Sequence, residues 1–129
     1  MEKKSDLYVI TKVKELTKYI ITITEKSPKK YRFTLVARMQ NYCLDIIENL
    51  FLANKMLLGS ARYEKQQEAS RKLSLVGYLG MLYAECGCIL PNQYEHLAKL
   101  QAEALLFLGK WIASDKKRLD KIDNTSLIK

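Results

Sequence analysis

Apolar positions in this chain recur at steps of three and four, in four stretches that follow one another with little between them. In the first, Val9, Val13, Leu16, Ile20 and Ile23 make one stripe of a helix expected over residues 4–25. Its weak point is the run from Tyr19 to Thr24, rich in β-branched residues that favour strands. A strand there would stand alone, because no other segment alternates. In the second stretch Val36, Met39, Cys43, Ile46, Leu50, Ala53 and Leu57 step by three and four without a break, with Tyr42, Ile47, Phe51 and Asn54 broadening the stripe. A helix over 28–57 would span roughly 40 to 45 Å at 1.5 Å per residue. Ser27 is expected to cap its start, Pro28 to sit in its first turn and Gly59 to end it.

The third stretch starts near Ser60 and carries two stripes, Ala69, Leu73, Val76, Gly80, Tyr83 and Gly87 beside Leu75, Leu79, Leu82, Cys86 and Ile89. Two stripes predict two buried faces. Its N-terminal half is polar (Arg62, Glu64, Lys65, Gln66, Gln67, Glu68, Arg71, Lys72) and is expected to project from the body or meet a polar partner. Gly77, Gly80 and Gly87 would each cost about 1 kcal/mol relative to Ala in a helix, which predicts a neighbouring helix packed close. The fourth stretch opens at Pro91 and turns Tyr94, Leu97, Gln101, Ala104, Leu108 and Trp111 inward, with Leu105 and Ile112 alongside. It is expected to end near Asp115. Four long helices with short connections predict an all-α, up-down-up-down antiparallel four-helix bundle over 1–118, followed by a polar, frayed C-terminal tail over 119–129.

Charge changes this picture most. The chain of 129 residues holds 22 Lys+Arg against 14 Asp+Glu, a net charge of +8, enough to attract nucleic acid, an anionic membrane surface or an acidic protein. Residues 26–38 carry Lys26, Lys29, Lys30, Arg32 and Arg38 with no acid among them. Lys29, Lys30 and Arg32 fall on the first turn of the second helix, where cations oppose the helix dipole at a cost of roughly 0.3 to 1 kcal/mol each. A second basic group, Lys116, Lys117, Arg118 and Lys121, is mixed with Asp115, Asp120 and Asp123. A solvated face that keeps the protein soluble is the alternative use of either cluster. Cys43, Cys86 and Cys88 cannot all pair within one chain, Met1 to Ser5 is charged, and the longest apolar run is far short of a membrane span. A soluble, cytoplasmic protein that uses cysteine as a small apolar residue is expected.

Catalytic chemistry has little to stand on. His96, the only histidine, comes one position before the stripe residue Leu97 and reads as a rim residue. Nothing basic precedes it closely enough for a helical-bundle ribonuclease with an arginine just before the histidine. Cys86-Gly87-Cys88 would be half of a thiolate site, yet tetrahedral zinc needs four ligands, and Cys43 and His96 would have to converge on it. The chain has no Gly-rich phosphate loop, Glu-x-x-His pair or Ser-His-Asp order. Glu48, Glu85 and Glu103 lie on different helices as isolated carboxylates. No metal, cofactor or catalytic residue is therefore expected, and the charge points to binding: Arg32, Arg38, Arg71 and Lys72 as phosphate contacts, beside Lys29 and Lys30. Tyr31 and Tyr63 neighbour these cations, to stack on bases or to pack on an adjoining helix.

Pro28-Lys29-Lys30-Tyr31-Arg32-Phe33-Thr34-Leu35, then Ala37-Arg38-Met39-Gln40, then Tyr94, Glu103, Leu108-Gly109 and Trp111, resemble the Avd family, the accessory variability determinant of diversity-generating retroelements. Related bundles are encoded in intervening sequences of bacterial ribosomal RNA genes. The resemblance runs over roughly residues 7 to 115. It implies a bundle that assembles into a closed pentamer, carries a basic surface, and binds the retroelement's reverse transcriptase and nucleic acid. The chain departs from the family pattern at Tyr78 and Leu82, where arginines are typical, and at Leu105, Leu106 and Lys110. Its charge is displaced to Lys29, Lys30, Arg32, Arg38, Arg71 and Lys72.

Two readings follow. The first is a non-enzymatic oligomeric accessory protein that binds RNA or DNA and a reverse transcriptase. The second is an oligomeric protein–protein interaction scaffold without nucleic-acid binding, recruiting its partner through the polar half of the third helix. An uncharacterised hydrolase is a distant third. Self-association is expected on either of the first two, because the apolar surface of the second and third helices exceeds what one four-helix core needs. Leu79 and Leu82 are the interface candidates.

Overall fold

A computed structural model describes the backbone of residues 4–128 and the side chains of residues 8–123. Its four main helices are α1 (Lys4–Thr24), α2 (Ala37–Lys55), α3 (Ser60–Glu85) and α4 (Pro91–Ile128). Each packs along two neighbours, α1 and α3 both lying between α2 and α4. Cross-helix contacts give the direction. Tyr8, Lys12 and Tyr19 of α1 meet Phe107, Glu103 and His96 of α4 in reversed order, and Gln66, Leu73 and Gly80 of α3 meet Asp115, Gln101 and Leu97 of α4. The four-helix bundle is antiparallel, as the apolar periodicity predicts.

The stripes read from the sequence form the core. Val9, Val13, Leu16, Ile20 and Ile23 of α1, then Val36, Met39, Cys43, Ile46, Leu50 and Ala53, and Leu97, Ala104, Leu108 and Trp111 of α4 are all buried. The β-branched end of α1 is helical throughout, because Ile20 and Ile23 have a core to fill and the threonine hydroxyls return to their own helix. Thr22 Oγ1 donates to the Lys18 carbonyl at 2.9 Å and Thr24 Oγ1 to the Ile20 carbonyl at 2.7 Å. Packing outweighs a propensity difference of a few tenths of a kcal/mol per residue.

Five expectations need correction. The second helix is not one α-helix from Pro28: it begins as a 3-10 turn, Lys29–Tyr31, widens into a π turn, Arg32–Val36, and becomes α-helical only at Ala37. It also stops at Lys55, leaving Leu57 outside the stripe and 90% exposed. The fourth helix does not end near Asp115 but continues through Ile128, since nothing in 116–128 is Gly or Pro and the residues there tolerate a helix. Gly87 lies past the end of α3 rather than within it. At φ +80° it closes a Schellman turn, in which the Cys88 N–H reaches the Tyr83 carbonyl at 2.8 Å and the Gly87 N–H reaches that of Ala84 at 3.1 Å. Gly77 and Gly80 do mark close approach: a Cβ on Gly77 would stand 2.8 Å from Gln101 Cδ, and one on Gly80 3.1 Å from Leu97 Cδ2.

The fifth correction concerns the polar half of α3, whose leading residues turn inward. Arg62 and Gln66 are 6% and 1% exposed and converge on Asp115 of α4, itself 7% exposed. Arg62 Nε donates to Asp115 Oδ2 at 2.7 Å, Nη2 to Oδ1 at 3.1 Å, and Gln66 Nε2 to Oδ2 at 2.9 Å. Arg62 Nη1 also reaches the Met56 carbonyl at 3.1 Å, and the guanidinium lies 5.0 Å from the centre of the Trp111 ring. The polar partner is within the chain. Removing one member strands a buried charge, so Arg62→Ala should destabilise the fold by about 3 to 5 kcal/mol in urea unfolding. Arg62→Met with Asp115→Leu should cost less than Arg62→Ala alone.

Candidate functional site

The basic stretch sits where the α1–α2 connection meets the α3–α4 turn. Ser27 does not cap a helix there. Its hydroxyl donates to the Cys88 carbonyl at 2.7 Å, and the start of the 3-10 turn satisfies itself through the Tyr31 N–H on the Pro28 carbonyl at 3.0 Å. The Tyr31 hydroxyl donates to the Cys86 carbonyl at 2.9 Å, and the Cys88 thiol reaches Ser27 Oγ at 3.7 Å. Two side chains thus fasten the connection to carbonyls freed at the end of α3. Tyr31, a stacking or packing candidate by its position in the sequence, is half-buried in this anchor.

The six candidate cations divide into two groups. Lys29, Lys30, Arg32 and Arg38 are exposed, and no ion pair among the described residues includes any of them. Lys30 Nζ rests 5.1 Å from the centre of its neighbour Tyr31's ring. Arg71 and Lys72 lie further along α3 and are occupied. Arg71 Nη2 pairs with Glu68 Oε2 at 2.5 Å, and Lys72 Nζ crosses to Asp45 of α2 at 2.9 Å, with Glu68 at 3.8 Å. The bond to Asp45 raises the Lys72 pKa above its ordinary value.

Phe33 stands among the free cations with 87% of its surface exposed. A continuous α-helix would bring a residue three positions before Val36 onto the buried stripe. The π turn of Arg32–Val36 spends an extra residue per turn, so Val36 is buried while Phe33 is not. On one side of Phe33 a groove of about 690 Å³ runs between α2 and α3, lined among others by Leu35, Arg38, Leu79, Leu82 and Tyr83. The interface candidates Leu79 and Leu82 therefore share a groove with a candidate phosphate contact. On the other side a hollow of about 280 Å³ is lined by Ile21, Thr24, Glu25, Arg32 and Gln40, with Phe33 as its wall. Of the second α3 stripe only Ile89 is buried, and Leu75, Leu82 and Cys86 face solvent. Tyr78, beside it, is 69% exposed. Tyr83 is buried at the groove, its hydroxyl without a hydrogen-bond partner, and burial pushes its pKa up to about 12.

Residues considered for chemistry lie apart. His96 is exposed and packs edge-on against Tyr19, ring centres 4.6 Å apart. No group of three metal-ligating side chains occurs among the described residues. No described helix is long and apolar enough to cross a membrane. Comparisons with models of known families, with curated proteins and with solved structures return no match.

The cysteines are all unpaired but differ sharply in environment. Burial pushes the Cys43 thiol up to about 11 and raises that of buried Cys88, whereas Cys86 is exposed. Thiolate is the reactive form. A thiol-reactive dye at neutral pH should therefore label Cys86 alone in the folded protein and all three cysteines after denaturation.

Proposed function

We propose that this is a non-enzymatic, oligomeric accessory protein that binds nucleic acid through the corner formed by Lys29, Lys30, Arg32 and Arg38. The observation that carries the reading is four exposed cations on one short segment, none in an ion pair among the described residues, with the exposed Phe33 ring lining one hollow with Arg32 and another with Arg38. Like charges that no ion pair neutralises repel one another, and a polyanion relieves that repulsion while releasing its own counterions. Affinity of this kind is sequence-independent and falls steeply with salt. Arg71 and Lys72 stand as secondary contacts, since each would have to leave a carboxylate. The family resemblance supplies the remainder of the reading: five copies in a ring, a reverse transcriptase as protein partner, and work in the cytoplasm. Unpaired cysteines suit that reducing compartment. Self-association through Leu79 and Leu82 would cover the apolar side of the α2–α3 groove and multiply the charge of +8 into a large positive field.

A second reading, an interaction scaffold that binds no nucleic acid, draws support from the engaged state of Arg71 and Lys72 and from the exposed apolar residues Tyr78, Met81 and Leu82.

Fluorescence anisotropy of labelled RNA and DNA across a salt series separates the two. Wild-type protein should bind tightly at low salt, and Arg32→Ala with Arg38→Ala should flatten the plot of log affinity against log salt by about 0.7 to 0.9 for each phosphate no longer neutralised. Arg71→Gln with Lys72→Gln should change affinity by less than about threefold, within the range of exposed ion pairs. Failure of the wild type to bind at low salt would leave the scaffold reading. In sedimentation experiments Leu79→Glu or Leu82→Glu should reduce the particle's mass while the helical circular dichroism stays intact, and an unchanged mass would remove them from the interface.

A further inference from the structure

Phe33 has no role in the fold that its exposure would explain. No ring contact among the described residues includes it, and it lies on a π turn that carries it off the buried stripe. An aromatic ring held in water beside cations is the arrangement on which unstacked bases settle, because every base offers a π face. The hollow on the α1 side of Phe33 has the matching make-up. Ile21, 43% exposed, and the Phe33 ring form apolar walls, while Thr24 and Gln40 line the hollow tied to each other by the Gln40 Nε2 bond to Thr24 Oγ1 at 3.1 Å. At about 280 Å³ the hollow has room for a base. Two charges border it. Arg32 attracts a phosphate, and Glu25 repels one. The uncharged part of a nucleotide is thereby directed inward, where Glu25 is an acceptor for exocyclic amino groups, and its phosphates toward Arg32, Lys29 and Lys30.

We infer that the hollow between α1 and α2 beside Phe33 receives an unstacked base, so that the ligand of the basic corner is single-stranded nucleic acid rather than a duplex. The inference rests on the nucleic-acid reading above and narrows it. A duplex keeps its bases in the stack, so it can meet the cations but not enter the hollow. Leu79 and Leu82 line the α2–α3 groove and not this hollow, so self-association through them would reach Arg38 but leave the base site open.

The test measures full-length protein against a fluorescent single-stranded oligonucleotide, its duplex with the complement, and poly-glutamate. Single strand should bind about tenfold more tightly than duplex, the factor that one stacked base supplies. Phe33→Ala should remove that advantage without altering the salt dependence, and Phe33→Trp should retain it. Equal affinity for duplex, or an unchanged single-strand affinity in Phe33→Ala, would overturn the inference while leaving nucleic-acid binding in place. Poly-glutamate held as tightly as the oligonucleotide would overturn it in favour of an acidic protein ligand. No binding of either nucleic acid would overturn both this inference and the reading on which it rests.

Discussion

A guanidinium cut off from water has to find a carboxylate, and in this bundle the pairing of Arg62 with Asp115 sets where α3 lies against α4. The pair is bidentate and reinforced by Gln66. A slide of one helix past the other by a single turn, about 5.4 Å, would break all three bonds at once. Once that register is fixed, Gly77 must face Gln101 and Gly80 must face Leu97, which is where the two glycines let the helices approach. Buried ion pairs of this type contribute little net stability compared with an apolar substitute, but they penalise the wrong alignment heavily. Trp111 completes the arrangement under the guanidinium.

The opposite end of the molecule follows a different logic. Lys29, Lys30, Arg32 and Arg38 enter no ion pair among the described residues, and the segment that begins with them is fastened through hydrogen bonds that leave the charges alone. Ser27 and Tyr31 fasten the segment to the closing turn of α3, itself shaped by Gly87. Rigidity and unspent charge therefore coincide. A binding surface gains from that combination, because a fastened backbone has little freedom left to lose when a ligand arrives.

Much of the fold was legible in the chain because helix burial obeys a simple period. The stripes read from Val9, Met39, Ala69 and Leu97 onward supply the core, except for the exposed Leu57 and Gly87 at their ends and the half-buried Gln101, and short connections then leave little choice but antiparallel neighbours. What escaped was governed by contacts between residues far apart in sequence. Nothing local tells Arg62 that Asp115 waits 53 residues on, so the polar run read as projecting from the body or meeting a partner that the sequence did not identify. The π turn escaped for a related reason: Arg32 to Val36 is compatible with an α-helix, and the widening shows only in where Phe33 points. The candidate site was legible as a charge cluster and not as a shape. Composition drew attention to six cations, whereas pairing by Glu68 and Asp45 reduces the unengaged set to four. Phe33, which gives the corner its two-sided relief, carries no compositional signal at all.

The hydroxyls of Ser27 and Tyr31 end on the carbonyl oxygens of Cys88 and Cys86, and of the two cysteine side chains only that of Cys88 touches the anchor. Every amino acid has a carbonyl, so the fastening does not depend on which residue occupies position 86, whose side chain faces water. Mutational drift at that site can proceed while Ser27 and Tyr31 keep their acceptors. The constraint falls on Gly87, whose left-handed backbone aims those carbonyls, and on the two hydroxyl donors. Among divergent descendants of this chain, the geometry of the corner can outlast nearly all of the sequence around its turn.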